Sequence, residues 1–142
     1  MYRRDYIQRM IEEFARVLAR AVGLRTQQRR EDALTELHNS YQPFFGISPE
    51  VLESIAPEAL MELLSAEKPL TPAQADALAQ ALELEASLHK GFNNLRAADC
   101  CSKALAVYSW LRVADPSTFS MARMQAEQRI VLLLAELPAE GH

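Results

Sequence analysis

At 142 residues, with 49% hydrophobic and 24% charged side chains, the chain is long enough to bury one sizeable core and too short for two, so a single domain over 1–142 is expected. This composition excludes a disordered or membrane-embedded class, and the formal charge of −4 argues against a dedicated nucleic-acid binder. Few glycines and prolines interrupt a sequence rich in Ala, Leu, Glu, Gln and Arg, which predicts an all-α fold because these residues lose little side-chain freedom in a helix.

The first helix is expected from near Asp5, with Ile7, Met10, Ile11, Phe14, Val17, Leu18, Ala21 and Val22 forming a buried stripe at three- and four-residue spacing. Gly23 is expected to end it, and Thr26 to cap a second helix carrying Ala33, Leu34, Leu37, Tyr41, Phe44 and Phe45. A connection this short makes the two an antiparallel hairpin. Ser48, Pro49 and Glu50 start a short helix through Ile55, and Ala56, Pro57 and Glu58 start another over 59–64. Thr71, Pro72 and Gln74 announce a capping box and a long helix to Lys90. After a turn at Gly91, Asn93 and Asn94, a sixth helix runs over 95–114 to Asp115 and Pro116, and a seventh over 118–137 to Pro138. The prediction is therefore five long helices and two short ones in antiparallel hairpins.

Small residues recur in the two hairpins, with Ala33, Leu37 and Ser40 after the first turn and Ala97, Cys101 and Ala104 after the second. This spacing, closed by Asp115 and Pro116, resembles the second helix of a tetratricopeptide repeat. The opening Met1, Tyr2, Arg3, Asp5, Tyr6, Ile7, Arg9, Ile11 and Glu12 resembles the start of a bacterial family of unknown function with a tetratricopeptide-like helical core. That resemblance implies the fold and cellular setting and assigns no reaction.

Residues 1–30 hold eight arginines against Asp5, Glu12 and Glu13, so the remainder carries the acidic excess. No run approaches 18 consecutive apolar residues, and Arg9, Glu12, Glu13 and Arg16 occupy the place where a signal peptide needs an apolar centre. No membrane span and a cytoplasmic protein are expected.

Neither an active site nor a cofactor or metal site is expected. There is no glycine-rich phosphate loop, Gly-x-Ser-x-Gly turn or His-Glu-x-x-His helix. His142 is terminal; His38 and His89 read as partly buried, hydrogen-bonded histidines rather than bases or ligands. Cys100 and Cys101 are adjacent, the wrong spacing for a two-thiolate metal pair, and read as buried, reduced fillers touching the preceding helix.

Trp110, with Arg96 and Lys103, is expected to form an exposed contact surface, its patch extended by Ala106 and Val113 and covered by the seventh helix or another chain. Tyr2, Arg3, Tyr6 and Arg9 form a second contact cluster. The first expectation is a protein–protein interaction module that takes a protein or peptide between helix pairs. The alternative is a polyanion binder, for nucleic acid or an anionic membrane surface, through the line of Arg9, Arg16 and Arg20 with Arg29 and Arg30; its bland counterpart is a solvated face with Glu12–Arg16 and Glu13–Arg9 pairs. A small-molecule pocket between helices ranks third and an enzyme last. Helix 118–137, apolar on every side from Ile130 to Ala135, suggests a homodimer.

Overall fold

A computed structural model of the chain describes residues 2–67, 70–117 and 120–138, and the side chains of all of these except 2–4, 66 and 67. Among the described residues the fold is all-α, with α1 Tyr2–Thr26, α2 Arg30–Phe45, α3 Pro49–Ser54, α4 Pro57–Glu62, α5 Pro72–His89, α6 Asn94–Ala114 and α7 Met121–Glu136. A single π-helical stretch, Leu63–Glu67, continues α4. Five helices are long and two short, as the periodicity predicts.

The start signals act where expected. Ser48 Oγ accepts the Val51 amide hydrogen at the start of α3. Thr71 and Gln74 close a reciprocal capping box, so two of the otherwise orphaned amides of α5 are satisfied.

The first turn departs from expectation. α1 runs through Gly23 to Thr26, and Thr26, rather than capping α2, donates its hydroxyl back to the Val22 carbonyl. The stop lies five residues beyond Gly23: Gln28 takes the left-handed conformation (φ 62°), while the Arg29 and Gln28 amides donate to the Leu24 and Arg25 carbonyls. Those two bonds are the Schellman pattern, here with Gln in the place glycine usually fills. Gly46, also left-handed, ends α2.

Helix pairs α1/α2 and α5/α6 are antiparallel hairpins laid side by side, in a tetratricopeptide-like layout. α5 is the central element: it packs on α6 most extensively and also on α1, α2 and α7, while α7 packs on α6 and α4 lies against α6. Its alanines 75, 77, 79, 81 and 86 are buried alongside Leu78, Leu82, Leu84 and Leu88. Small side chains let four neighbours approach one helix, and each buried leucine contributes about 1.5–3 kcal/mol. The buried apolar residues form one cluster running from Phe14 to Ile130.

The α1 stripe divides. Phe14, Val17 and Ala21 are buried, whereas Ile7, Met10, Ile11 and Leu18 are half-buried and Val22 is exposed. α7 divides too: Ala126 and Ile130 are buried, but Met121, Met124, Val131 and Leu132 are exposed. Thr118 and Phe119, included in the expected seventh helix, lie outside the described residues, as does His142.

A Cβ added at Gly23 meets nothing within 4 Å. Gly23→Ala should therefore raise stability by about 0.5–1 kcal/mol in urea unfolding, since alanine loses less backbone freedom mid-helix. A helix that ended at Gly23 would give the opposite sign.

Candidate functional site

Glu85 lies fully inside the fold on α5, where an unpartnered carboxylate would be very costly. Four donors from three helices meet it. Tyr41 of α2 donates its hydroxyl to Oε1 at 2.7 Å. His38 Nε2, also of α2, stands 3.2 Å from Oε2, His89 Nε2 of α5 stands 3.0 Å from it, and Arg96 of α6 donates to it at 3.2 Å. Burial pushes the Glu85 carboxyl up, but the hydrogen bonds from His38, His89 and Tyr41 overcome it and hold the group far below the ordinary carboxylate range. The bond to Glu85 in turn raises the His38 pKa above 6.5 against the opposing effect of burial. Burial, and then Glu85, push the Tyr41 hydroxyl and the Cys100 thiol well up.

The network continues along α6. Arg96 donates to Asp99 at 2.6 Å, and Lys103 donates to Asp99 at 2.6 Å, the Leu52 carbonyl at 2.6 Å and the Glu53 carbonyl at 3.1 Å. The last two acceptors belong to the final turn of α3, whose carbonyls have no helical partner, so one buried ammonium caps that helix and neutralises its negative end. On the other side Arg30 donates to the Leu88 carbonyl at 2.5 Å, approaches His89 Nδ1 at 3.3 Å and stacks 4.2 Å from the centre of the Phe92 ring.

These positions revise the expected contact surface. Lys103 is fully buried and the Arg96 side chain is 11% exposed, because both are consumed by internal carboxylates and carbonyls. Trp110 is half-buried, and its indole N–H donates to Ser65 Oγ at 3.0 Å. The π-helical stretch meets its polar edge; Val113 stays open at 81% exposure. Tyr6 and Arg9 are exposed; the side chains of Tyr2 and Arg3 lie outside the described residues. Arg29 pairs with Asp32 and Arg30 with Glu31. No ion pair joins Glu12 to Arg16 or Glu13 to Arg9 among the described residues; Arg20 approaches Glu36 at 3.6 Å.

Both cysteines are free and buried, as expected, and burial pushes the Cys101 thiol to about 11. His89 is buried and hydrogen-bonded, matching its sequence reading; His38 lies mid-helix and half-buried. A Glu85 oxygen, a His89 ring nitrogen and Cys100 Sγ lie within 4.8 Å of one another, a grouping of metal-ligand types. Sequence reasoning missed Glu85 altogether. Its signal was the pair Glu85 and His89, four residues apart on a helix rich in Ala and Leu.

The second feature is open. α1 and α7 both rest on α5, and between them lies a groove of about 480 Å³ lined by Leu18, Val22, Arg25, Glu83, Ala122 and Arg129, among others. Asp76 and Arg123 are shared with a further recess of about 990 Å³ bounded by Ile7, Ile11 and Pro72. The two recesses adjoin at these residues and are together called the channel along α5, whose 18 residues span about 27 Å. Arg129 pairs with Glu83 at 2.8 Å and Arg25 donates to Ser87 Oγ at 2.7 Å. Arg123 approaches Asp115 at 3.4 Å and Asp76 at 3.7 Å, and its Nε is buried without a hydrogen bond. By the step of about 100° per residue, Ile7, Ile11, Leu18 and Val22 share one side of α1 and Arg9, Arg16 and Arg20 the opposite side.

No protein-family model matches this chain, and neither curated proteins nor solved structures give a significant match. No described helix is long and apolar enough to cross a membrane.

Glu85→Ala should cost about 3–5 kcal/mol in urea unfolding, because it strands buried cationic and hydroxyl donors. The pH profile in chelator-treated buffer follows from the two shifts. A raised His38 pKa adds stability that is fully present below about 6.5 and lost as pH rises through the folded value; a depressed Glu85 pKa adds stability present above about 4.3 and lost toward acid. Wild type should therefore lose stability as pH rises above about 6.5, and His38→Gln should flatten that limb; an unchanged limb would disprove the His38 assignment.

Proposed function

We propose that the protein is an interaction module that holds an amphipathic segment of a partner protein in the channel between α1 and α7. The observation that carries this reading is the split of the α1 stripe: Ile7, Ile11 and Val22 line the channel outside the buried core, and Leu18 lines it while packing partly against the core. A continuous apolar strip edged by ion pairs of both signs suits a segment with one apolar side and mixed charge. Stacked hairpins leave such a concave face because consecutive pairs rotate slightly about one another. Tyr6 and Arg9, exposed on α1, supply a second contact for the body of the partner. The all-helical layout of paired hairpins suits a role in binding a partner in the bacterial cytoplasm.

The polyanion reading has its own supporting observation, since Arg9 and Arg16 have no carboxylate partner among the described residues. It uses the side of α1 opposite the channel, so one experiment separates the two. Val22 and Ala122 are exposed channel positions, and Val22→Glu with Ala122→Glu should weaken capture of a protein partner at least tenfold while leaving helical content unchanged. Replacing Arg9, Arg16 and Arg20 by Gln should leave that capture intact. The reverse pattern, with heparin retention that collapses in salt, would replace the module reading with the polyanion one.

A homodimer through the outer side of α7 belongs to the same proposal, supported by Met121, Met124, Val131 and Leu132 at 58%, 43%, 53% and 64% exposure. Light scattering should return twice the 16.0 kDa chain mass, and Leu132→Glu should return a monomer. A wild-type monomer at every concentration would remove the dimer.

A further inference from the structure

We propose that Glu85, His89, Cys100 and His38 form a four-coordinate site for a divalent ion of the zinc class, tying α2, α5 and α6 together. The inference is independent of the channel.

Three ligand types converge, within 4.8 Å and all buried, in Glu85, His89 and Cys100. His38 Nε2 reaches the same carboxylate oxygen from α2 at 3.2 Å, beside His89 Nε2 at 3.0 Å. Metal–nitrogen and metal–oxygen bonds of about 2.0–2.2 Å at tetrahedral angles put neighbouring ligand atoms about 3.4 Å apart. Each imidazole thus needs to part from the carboxylate by only a few tenths of an ångström, while the thiol, and His38, which stands outside the 4.8 Å grouping, must draw in toward the ion by about an ångström or more.

The hydrogen bonding of Glu85 Oε2 is itself a sign of this. Three nitrogens, from His38, His89 and Arg96, crowd one oxygen, which has two in-plane lone pairs to offer. An ion among them turns two competing N–H donors into two lone-pair ligands. Cys100 Sγ beside them has no hydrogen bond among the described residues, and as a thiolate it completes, with Glu85, the two negative charges that balance a divalent ion.

The surroundings suit the exchange. Tyr41 keeps its bond to Oε1 and fixes the carboxylate, the role of an outer-shell partner. Arg96, released from Oε2, retains Asp99 at 2.6 Å and Glu53 at 3.9 Å. Arg30 retains the Leu88 carbonyl and Glu31 when His89 Nδ1 takes up the proton. The His38 side chain, 35% exposed against 10% or less for His89 and Glu85, is the way in. Two imidazoles and a thiolate select zinc or cobalt over magnesium or calcium, and four protein ligands make the site structural rather than catalytic.

The test is to strip the whole protein with a chelator and titrate Co²⁺. One ion per chain, a tetrahedral visible spectrum and a thiolate-to-cobalt charge-transfer band are expected, with Zn²⁺ displacing the cobalt and raising Tm. Cys100→Ser should remove the charge-transfer band and His38→Gln should lower affinity at least tenfold, whereas Cys101→Ala should change neither. Absence of stoichiometric cobalt uptake by the stripped wild type, or a charge-transfer band that survives Cys100→Ser, overturns the proposal. Should Cys100→Ser fail to fold, X-ray absorption at the zinc edge of the wild type decides: one sulfur with nitrogen and oxygen neighbours supports the site, and a shell without sulfur rejects it.

Discussion

A single buried carboxylate sets the terms for the rest of the molecule. Glu85 stands on the helix with most neighbours, where water cannot reach it, and its charge is tolerable only while several donors hold it. Those donors come from α2 and α6 as well as α5, so the carboxylate fixes how the two hairpins meet. An apolar contact between α2 and α5 would permit sliding by a fraction of a turn; four directed bonds to one carboxylate do not. Specificity of packing, more than net stability, is what such a cluster contributes.

The same arrangement explains the channel. α5 is held against α2 and α6, and α1 and α7 rest on it as well. Two helices flanking a third leave a trough above it unless large side chains fill the gap. Leu18, Val22, Ala122 and Gln80 do not fill it, and charged pairs across the rim, Arg129 with Glu83 and Arg123 with Asp76 and Asp115, keep it wet. The open strip on α1 is thus the counterpart of the closed cluster beneath it.

Helix number, order and most boundaries were legible in the sequence because they rest on local rules: Ser48 with Pro49, Thr71 with Gln74 and the three- and four-residue periods each act within one turn. The first turn was misread because a rule for glycine was applied where glutamine does the work. Gln28 adopts the left-handed conformation that Gly23, five residues earlier, was expected to supply. The polar cluster was illegible for a different reason. Periodicity ranks a side chain by type, so Arg96 and Lys103 were expected on the surface and Glu85 drew no notice, and only the placement of three helices shows each with an internal partner. His89 was the exception, since it falls on the apolar side of its own helix.

Lys103 also settles the part played by segment 48–67. Leu52, Leu60 and Leu64 are fully buried, an apolar anchorage that alone would hold the segment down while leaving its helix ends free to fray. The ammonium of Lys103 removes that freedom at α3 by taking the Leu52 and Glu53 carbonyls, and Trp110 holds Ser65 at the far end. Opening the segment would expose three leucines and break the Lys103 bonds to the Leu52 and Glu53 carbonyls in one step. A lid needs a low-cost open state, and this segment has none. It is a fixed cover over α6, anchored by its leucines from within and by Lys103 and Trp110 at its two ends.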